Sequence, residues 1–209
     1  MLIAPFLALL LAGPPAERTQ VYSIQGADCA TCGDDLIAEL RKLKGVKKAS
    51  FDKQAVELTL RLEGVGDDEV LRVVERAGLK AVAGAGHGRY LPHPDYPAGS
   101  DVVTLTRDGH KVGALDKLRV ADKYTVFDFY ADWCGPCRTV DTRLREIVAE
   151  RADVAVRRLN VVDFDSPLAR EQGSRLGQLP YVVVFTPAGK RGDVSGLDLK
   201  KLDALLAQR

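Results

Sequence analysis

Alternation and helical spacing divide the chain into two patterned stretches separated by an unpatterned one. In the first stretch Val56, Leu58, Leu60 and Leu62 alternate with Glu57, Thr59 and Arg61, the period-two signature of a strand with one buried face. Thr19–Ile24, Lys47–Phe51 and Leu79–Ala83 read as further strands. Ala30–Lys44 carries Leu36, Ile37, Leu40 and Leu43 on one face and stops at Gly45, which predicts a helix. A second helix is expected from an N-capping Asp67 through Ala77, with Val70, Leu71, Val73, Val74 and Ala77 inward and Gly78 as its stop. The order βαββαβ predicts an α+β, ferredoxin-like domain over residues 19–83.

Residues 84–100 hold four glycines and three prolines and show no period. They read as a flexible linker, and its His87 and His93 as solvated side chains, with metal ligation the alternative. From residue 101 strands and helices alternate again. Strands are expected at Val102–Thr106, Thr125–Tyr130, Val154–Val162, Tyr181–Thr186 and Arg191–Ser195. Helices are expected at Leu115–Val120, at Cys134–Arg151, after Ser166-Pro167 (an N-cap and an N1 proline), and along Leu199, Leu202, Leu205 and Leu206. This pattern predicts an α/β domain over residues 101–209, a sheet covered on both faces.

Composition narrows the function. The 209 residues include 30 Lys and Arg against 29 Asp and Glu, with no basic stripe, so a nucleic-acid partner is not expected. Residues 1–18 open with LIAPFLALLLAG, the length of a signal-peptide apolar region and shorter than the roughly 20 residues a membrane span needs. They read as a signal peptide or a short hydrophobic anchor. The expected location is therefore outside the cytoplasm, periplasmic or anchored on the outer face of a membrane, with a cytoplasmic location as the alternative.

The four cysteines form two Cys-x-x-Cys pairs, Cys29/Cys32 and Cys134/Cys137. Such spacing closes too small a loop to staple a chain and points to redox work or metal binding. Cys134 falls at the start of a helix that follows a buried strand, where the helix dipole favours an exposed, nucleophilic thiolate. Cys137, one turn on, can then resolve a mixed disulfide. Asp128 interrupts the apolar strand TVFDFY six residues before Cys134, a buried carboxyl suited to take the Cys137 proton. In the first domain, two thiolates at Cys29 and Cys32 can grip a soft ion such as Cu(I).

The stretch FDFYADWCGPCR resembles the active-site signature of the thioredoxin family, with Asp128, Trp133, the WCGPC pentapeptide and Arg138 in place. The resemblance implies a thioredoxin-like fold, thiol–disulfide oxidoreductase activity in the reducing direction, and a cis-proline at Pro180 that presents backbone to substrate. Tyr181 departs from the family's usual small Thr. It also implies a disulfide-bearing protein substrate and an external electron donor, with no organic cofactor.

GADCATC, residues 26–32, resembles the GMxCxxC loop of heavy-metal-associated domains. Ala27 stands in place of Met, and Leu79 where copper-binding members often carry an aromatic. Asp28 resembles the extra carboxylate ligand of the zinc, cadmium and lead members. The implied metals are Cu(I) first, then Zn(II) or Hg(II), with a metalloprotein or metal transporter as a further partner. The combined expectation is a disulfide reductase coupled to a soft-metal-binding domain. A non-enzymatic metal carrier, and a general thioredoxin with a tethering front domain, are the alternatives.

Overall fold

The computed structural model describes residues 16–29 and 31–208; the apolar stretch 1–13 lies outside the described residues. The chain forms two compact units, divided at Arg89/Tyr90 apart from Asp28 and Cys29, which group with the second. Among the described residues no helix is long and apolar enough to cross a membrane.

In the first unit β1 (Arg18–Ala27), α1 (Cys32–Leu40), β2 (Val46–Asp52), β3 (Glu57–Leu62), α2 (Asp67–Arg76) and β4 (Lys80–Ala83) follow in the expected order. The strands make an antiparallel sheet in the order β2-β3-β1-β4, with a two-residue β5 (Arg89–Tyr90) beside β1. This is the ferredoxin-like arrangement. The alternation read in the sequence holds, for Val56, Leu58, Leu60 and Leu62 are all buried.

Asp67 departs from expectation. Gly66 occupies the N-cap position of α2 and Asp67 is its first helical residue. The Asp67 carboxylate instead accepts from Tyr22 Oη and Arg18 Nη2, each at 2.6 Å. Tyr22 is buried, so its hydroxyl must find a partner. The Tyr22 bond, then Arg18, holds the Asp67 carboxyl below the usual carboxylate range. The trio joins β1 to the start of α2.

In the second unit β6 (Val102–Thr106), β7 (Tyr124–Tyr130), β8 (Val154–Asn160), β9 (Tyr181–Phe185) and β10 (Arg191–Ser195) form one sheet in the order β10-β9-β7-β8-β6. β6, β7 and β8 are parallel, while β9 runs antiparallel to β7 and β10 to β9. The parallel β7–β8 pair needs a crossover, which α3 (Gly135–Glu150) supplies. α4 (Pro167–Gln172) follows β8, and α5 (Leu199–Leu206) closes the chain. Ser166 caps α4 as expected, accepting from the Ala169 amide. The expected helix at Leu115–Val120 is a shorter 3-10 turn, Leu115–Leu118.

Every residue of β7 is buried, and its alternation sorts them between the sheet's two faces. Phe127 and Phe129 join the cluster of Leu159, Leu168 and Val183. Val126 joins the other, with Val140 and Leu144 of α3 and Leu202 of α5. Asp128, two residues from Val126, therefore points to the α3 side. That placement creates the site.

Gly33, next to Cys32 in α1, has no room for a side chain: a Cβ there would lie 2.1 Å from Phe51 Cδ1. Gly33→Ala is expected to lower the stability of the first unit by about 1–3 kcal/mol, with Phe51→Leu restoring part of the loss. Native-state hydrogen exchange of the β1 and β3 amides measures this. Unchanged protection would show that the Phe51 ring moves aside freely.

Candidate active site and metal-binding loop

Cys134 is the N-cap of α3, and its Sγ accepts from the Cys137 amide at 3.2 Å. Pro136 sits in the first helical turn, where its missing N–H leaves no bond unmade. Cys134 and Cys137 are joined in a disulfide. Both are buried, at 3% and 1% exposure, where the sequence reading expected an exposed first cysteine. The difference follows from their packing, since Tyr130 and Ala131 lie with them and Trp133 and Leu179 pack against the group.

Two loops frame the pair. Trp133 Nε1 donates to the carbonyl of Val162 at 2.6 Å, and its ring lies 5.8 Å from that of Phe164. Val162 is a β-branched residue at φ 64°, a costly conformation, and its amide is held by Asn160 Oδ1 at 2.9 Å. The Leu179–Pro180 bond is cis, as the resemblance implies, and the Pro180 carbonyl accepts from Gly196 at 2.8 Å.

One turn of α3 beyond Cys137 lies a buried charged cluster. Asp128 on β7 is paired in register with Arg158 on β8, whose Nε lies 3.5 Å from Asp128 Oδ2. The same guanidinium donates through Nη2 to Asp141 Oδ1 at 2.8 Å. Asp141 stands one helical turn after Cys137 on α3, on the same side of the helix. Asp128 Oδ1 finds no hydrogen-bond partner among the described residues. Burial, reinforced by the Asp141 charge and only partly opposed by Arg158, pushes the Asp128 carboxyl up to about 7. Burial works against the Arg158 charge, but Asp128 and Asp141 together raise its pKa further. Burial thus raises a carboxyl towards neutrality on β7, the strand that leads into the helix carrying both cysteines.

Two more groups complete the cluster, and the sequence reading missed both. Tyr96 Oη donates to Asp141 Oδ1 at 3.0 Å, and His93 Nδ1 is hydrogen-bonded to Asp141 Oδ2. His93, read from the sequence as a solvated linker side chain, is instead 6% exposed, with its ring edge-on to Tyr130 at 4.6 Å. Composition hid it, because a Pro- and Gly-rich run looks like a linker whether or not its polar residues find buried partners. Arg158 and Asp141 had weak signals: a charge inside a strand that pairs with Asp128, and a carboxylate beside the inward stripe of α3.

At the other cysteine pair, Asp28, Cys29 and Cys32 each bring one ligand atom to within 4.8 Å of the others, the first two in the loop after β1 and Cys32 at the start of α1. Cys29 and Cys32 are disulfide-bonded, so this form offers no thiolate. Once reduced, two sulfurs and one carboxylate are a donor set suited to a soft or borderline ion. No other such cluster of three occurs among the described residues.

The thioredoxin family model matches residues 103–208. Mitochondrial thioredoxin-2 of Schizosaccharomyces pombe is 36% identical over 111 residues, covering 50% of this chain and 81% of that protein. The thioredoxin of Malassezia sympodialis is 38% identical over 88 residues, covering 42% of this chain and 82% of its own. A solved structure of the yeast copper transporter domain Ccc2a aligns at 23% identity and a TM-score of 0.31, over 32% of this chain and 96% of that one. A family match over half of the chain, with identity across most of a relative's length, establishes the class of chemistry, thiol–disulfide oxidoreduction. The chain belongs to the thioredoxin family.

Proposed function

We propose that the second unit is a disulfide reductase that serves a soft-metal-binding first unit. The observation that carries the redox half is Cys134 capping α3, with Cys137 one turn on and, on the strand before the helix, a buried Asp128 carboxyl pushed up to about 7. In the reduced protein the Cys134 thiolate attacks a substrate disulfide, forming a mixed disulfide and releasing one substrate thiolate. Cys137 then gives its proton to Asp128 and attacks the Cys134 sulfur. The Cys134–Cys137 disulfide forms and the second substrate thiolate leaves, so two electrons pass to the substrate. An external dithiol donor returns the pair to its reduced form. Trp133 and the Leu179-Pro180 segment, which pack on or beside the cysteines, shape the surface a substrate meets. The apolar start of the chain supports a location outside the cytoplasm, where such a donor has to be supplied.

The first unit takes its ion as cargo. Cys29 and Cys32 are the thiolate ligands for Cu(I), and Asp28 adds an oxygen that favours Zn(II). Metal binding requires both cysteines reduced. That requirement gives the fusion its logic: the second unit restores the Cys29/Cys32 thiols, or those of a metalloprotein or transporter that receives the ion.

Asp128→Asn should slow mixed-disulfide resolution by roughly 10²-fold and erase the rate inflection near pH 7, followed by stopped-flow reduction of a peptide disulfide. It should also flatten stability against pH. The folded carboxyl holds its proton up to about 7 against an ordinary value of 3.8, so the stability it contributes is full below that value and lost as pH rises towards 7. An unaltered rate profile would assign the Cys137 proton to another acceptor.

In a competition titration of the reduced chain, Cys29→Ser/Cys32→Ser should abolish one-to-one Cu(I) binding. Asp28→Asn should leave Cu(I) affinity within about twofold and weaken Zn(II) about tenfold or more. Retained Cu(I) in the double variant would remove the metal reading. Finally, Cys137→Ser should accumulate a mixed disulfide between Cys134 and Cys29 or Cys32 under mild oxidation, detected by peptide mapping. Its absence at every redox poise would leave only an external substrate.

A further inference from the structure

The buried cluster one turn of α3 beyond Cys137 turns on a single guanidinium. Two buried carboxylates, Asp128 and Asp141, share one guanidinium, Arg158. The sheet gives no further help on its other side, since Val182 faces Asp128 from β9. The remaining groups come from before the stretch that matches the family: His93 and Tyr96, both bound to Asp141. Tyr130, stacked under Arg158 at 4.0 Å and against His93, and Asp132, 3.8 Å from His93 Nε2, complete the surroundings.

We infer that His93 is a positioning residue for the exchange reaction: by satisfying Asp141 it leaves Arg158 to be shared with Asp128, and so sets how readily Asp128 takes the Cys137 proton. The geometry dictates the direction. Arg158 already favours Asp141, at 2.8 Å against 3.5 Å for Asp128. Without His93, Asp141 loses the donor on its Oδ2 and draws harder on Arg158. Asp128 then faces more uncompensated negative charge and holds its proton to higher pH. Removing the Asp141 charge does the opposite, because Arg158 is then left to Asp128 alone. Tyr96 acts in the same sense as His93, more weakly, through Oδ1.

The inference rests on Asp128 as the proton acceptor, and one set of full-length variants separates the two ideas. The Asp128 titration midpoint is read by carboxyl ¹³C NMR of the reduced protein, beside the pH profile of peptide-disulfide reduction. His93→Gln should raise both midpoints by about half a pH unit or more, roughly a threefold change in proton affinity. Tyr96→Phe, which keeps the ring, should move them the same way by less, and serves if His93→Gln folds poorly. Asp141→Asn should lower them, and His93→Gln/Asp141→Asn should follow Asp141→Asn. An NMR midpoint unmoved by His93→Gln and Tyr96→Phe, or moved downward, overturns the inference. So does a midpoint that moves while the rate profile stays in place. If Asp128→Asn itself leaves the rate profile intact, the acceptor assignment has failed instead.

Discussion

A single guanidinium held between two carboxylates inside the second unit is the constraint around which its active site is arranged. Taking charges out of water is expensive, and removing one partner from a buried ion pair typically costs about 3–5 kcal/mol. Arg158 can satisfy Asp141 and approach Asp128 only because β7 and β8 are parallel and in register at 128 and 158, with α3 crossing over them. The crossover that carries Cys137 at its first turn carries Asp141 at its second. Electrostatics and topology therefore fix each other. The same fold that aligns the cysteines also sets the surroundings of the Asp128 carboxyl.

The cluster also accounts for a carboxyl poised near neutrality. A fully compensated Asp128 would stay ionised throughout and could return no proton. A fully uncompensated one would stay neutral and could accept none. One guanidinium shared by two carboxyls leaves it between these limits.

Much of this could be read from residue order. The strand alternation at Val56–Leu62, the buried run around Asp128, the Ser166-Pro167 helix start and the Cys-x-x-Cys pairs are local signals, and the structure has them where they were expected. Contacts between residues distant in the chain were not legible. Asp67 looked like a helix cap because Asp before an apolar run usually is one, yet a buried tyrosine on β1 claimed its carboxylate. His93 looked solvated because its neighbours are prolines and glycines, yet its partner lies 48 residues on, in α3. In both cases a long-range hydrogen bond to a buried group outweighed the local preference.

Trp133, clamped to the carbonyl of Val162, and the cis Leu179–Pro180 segment lie within the stretch that matches other thioredoxins; His93 and Tyr96 do not. The ends of the inherited fold and the ends of the working unit are thus different places on the chain. A fragment cut at the family boundary would retain Cys134, Cys137 and Asp128 while losing two of the groups bound to Asp141. The residues just before the family stretch are as much a part of the second unit's buried cluster as Arg158 is.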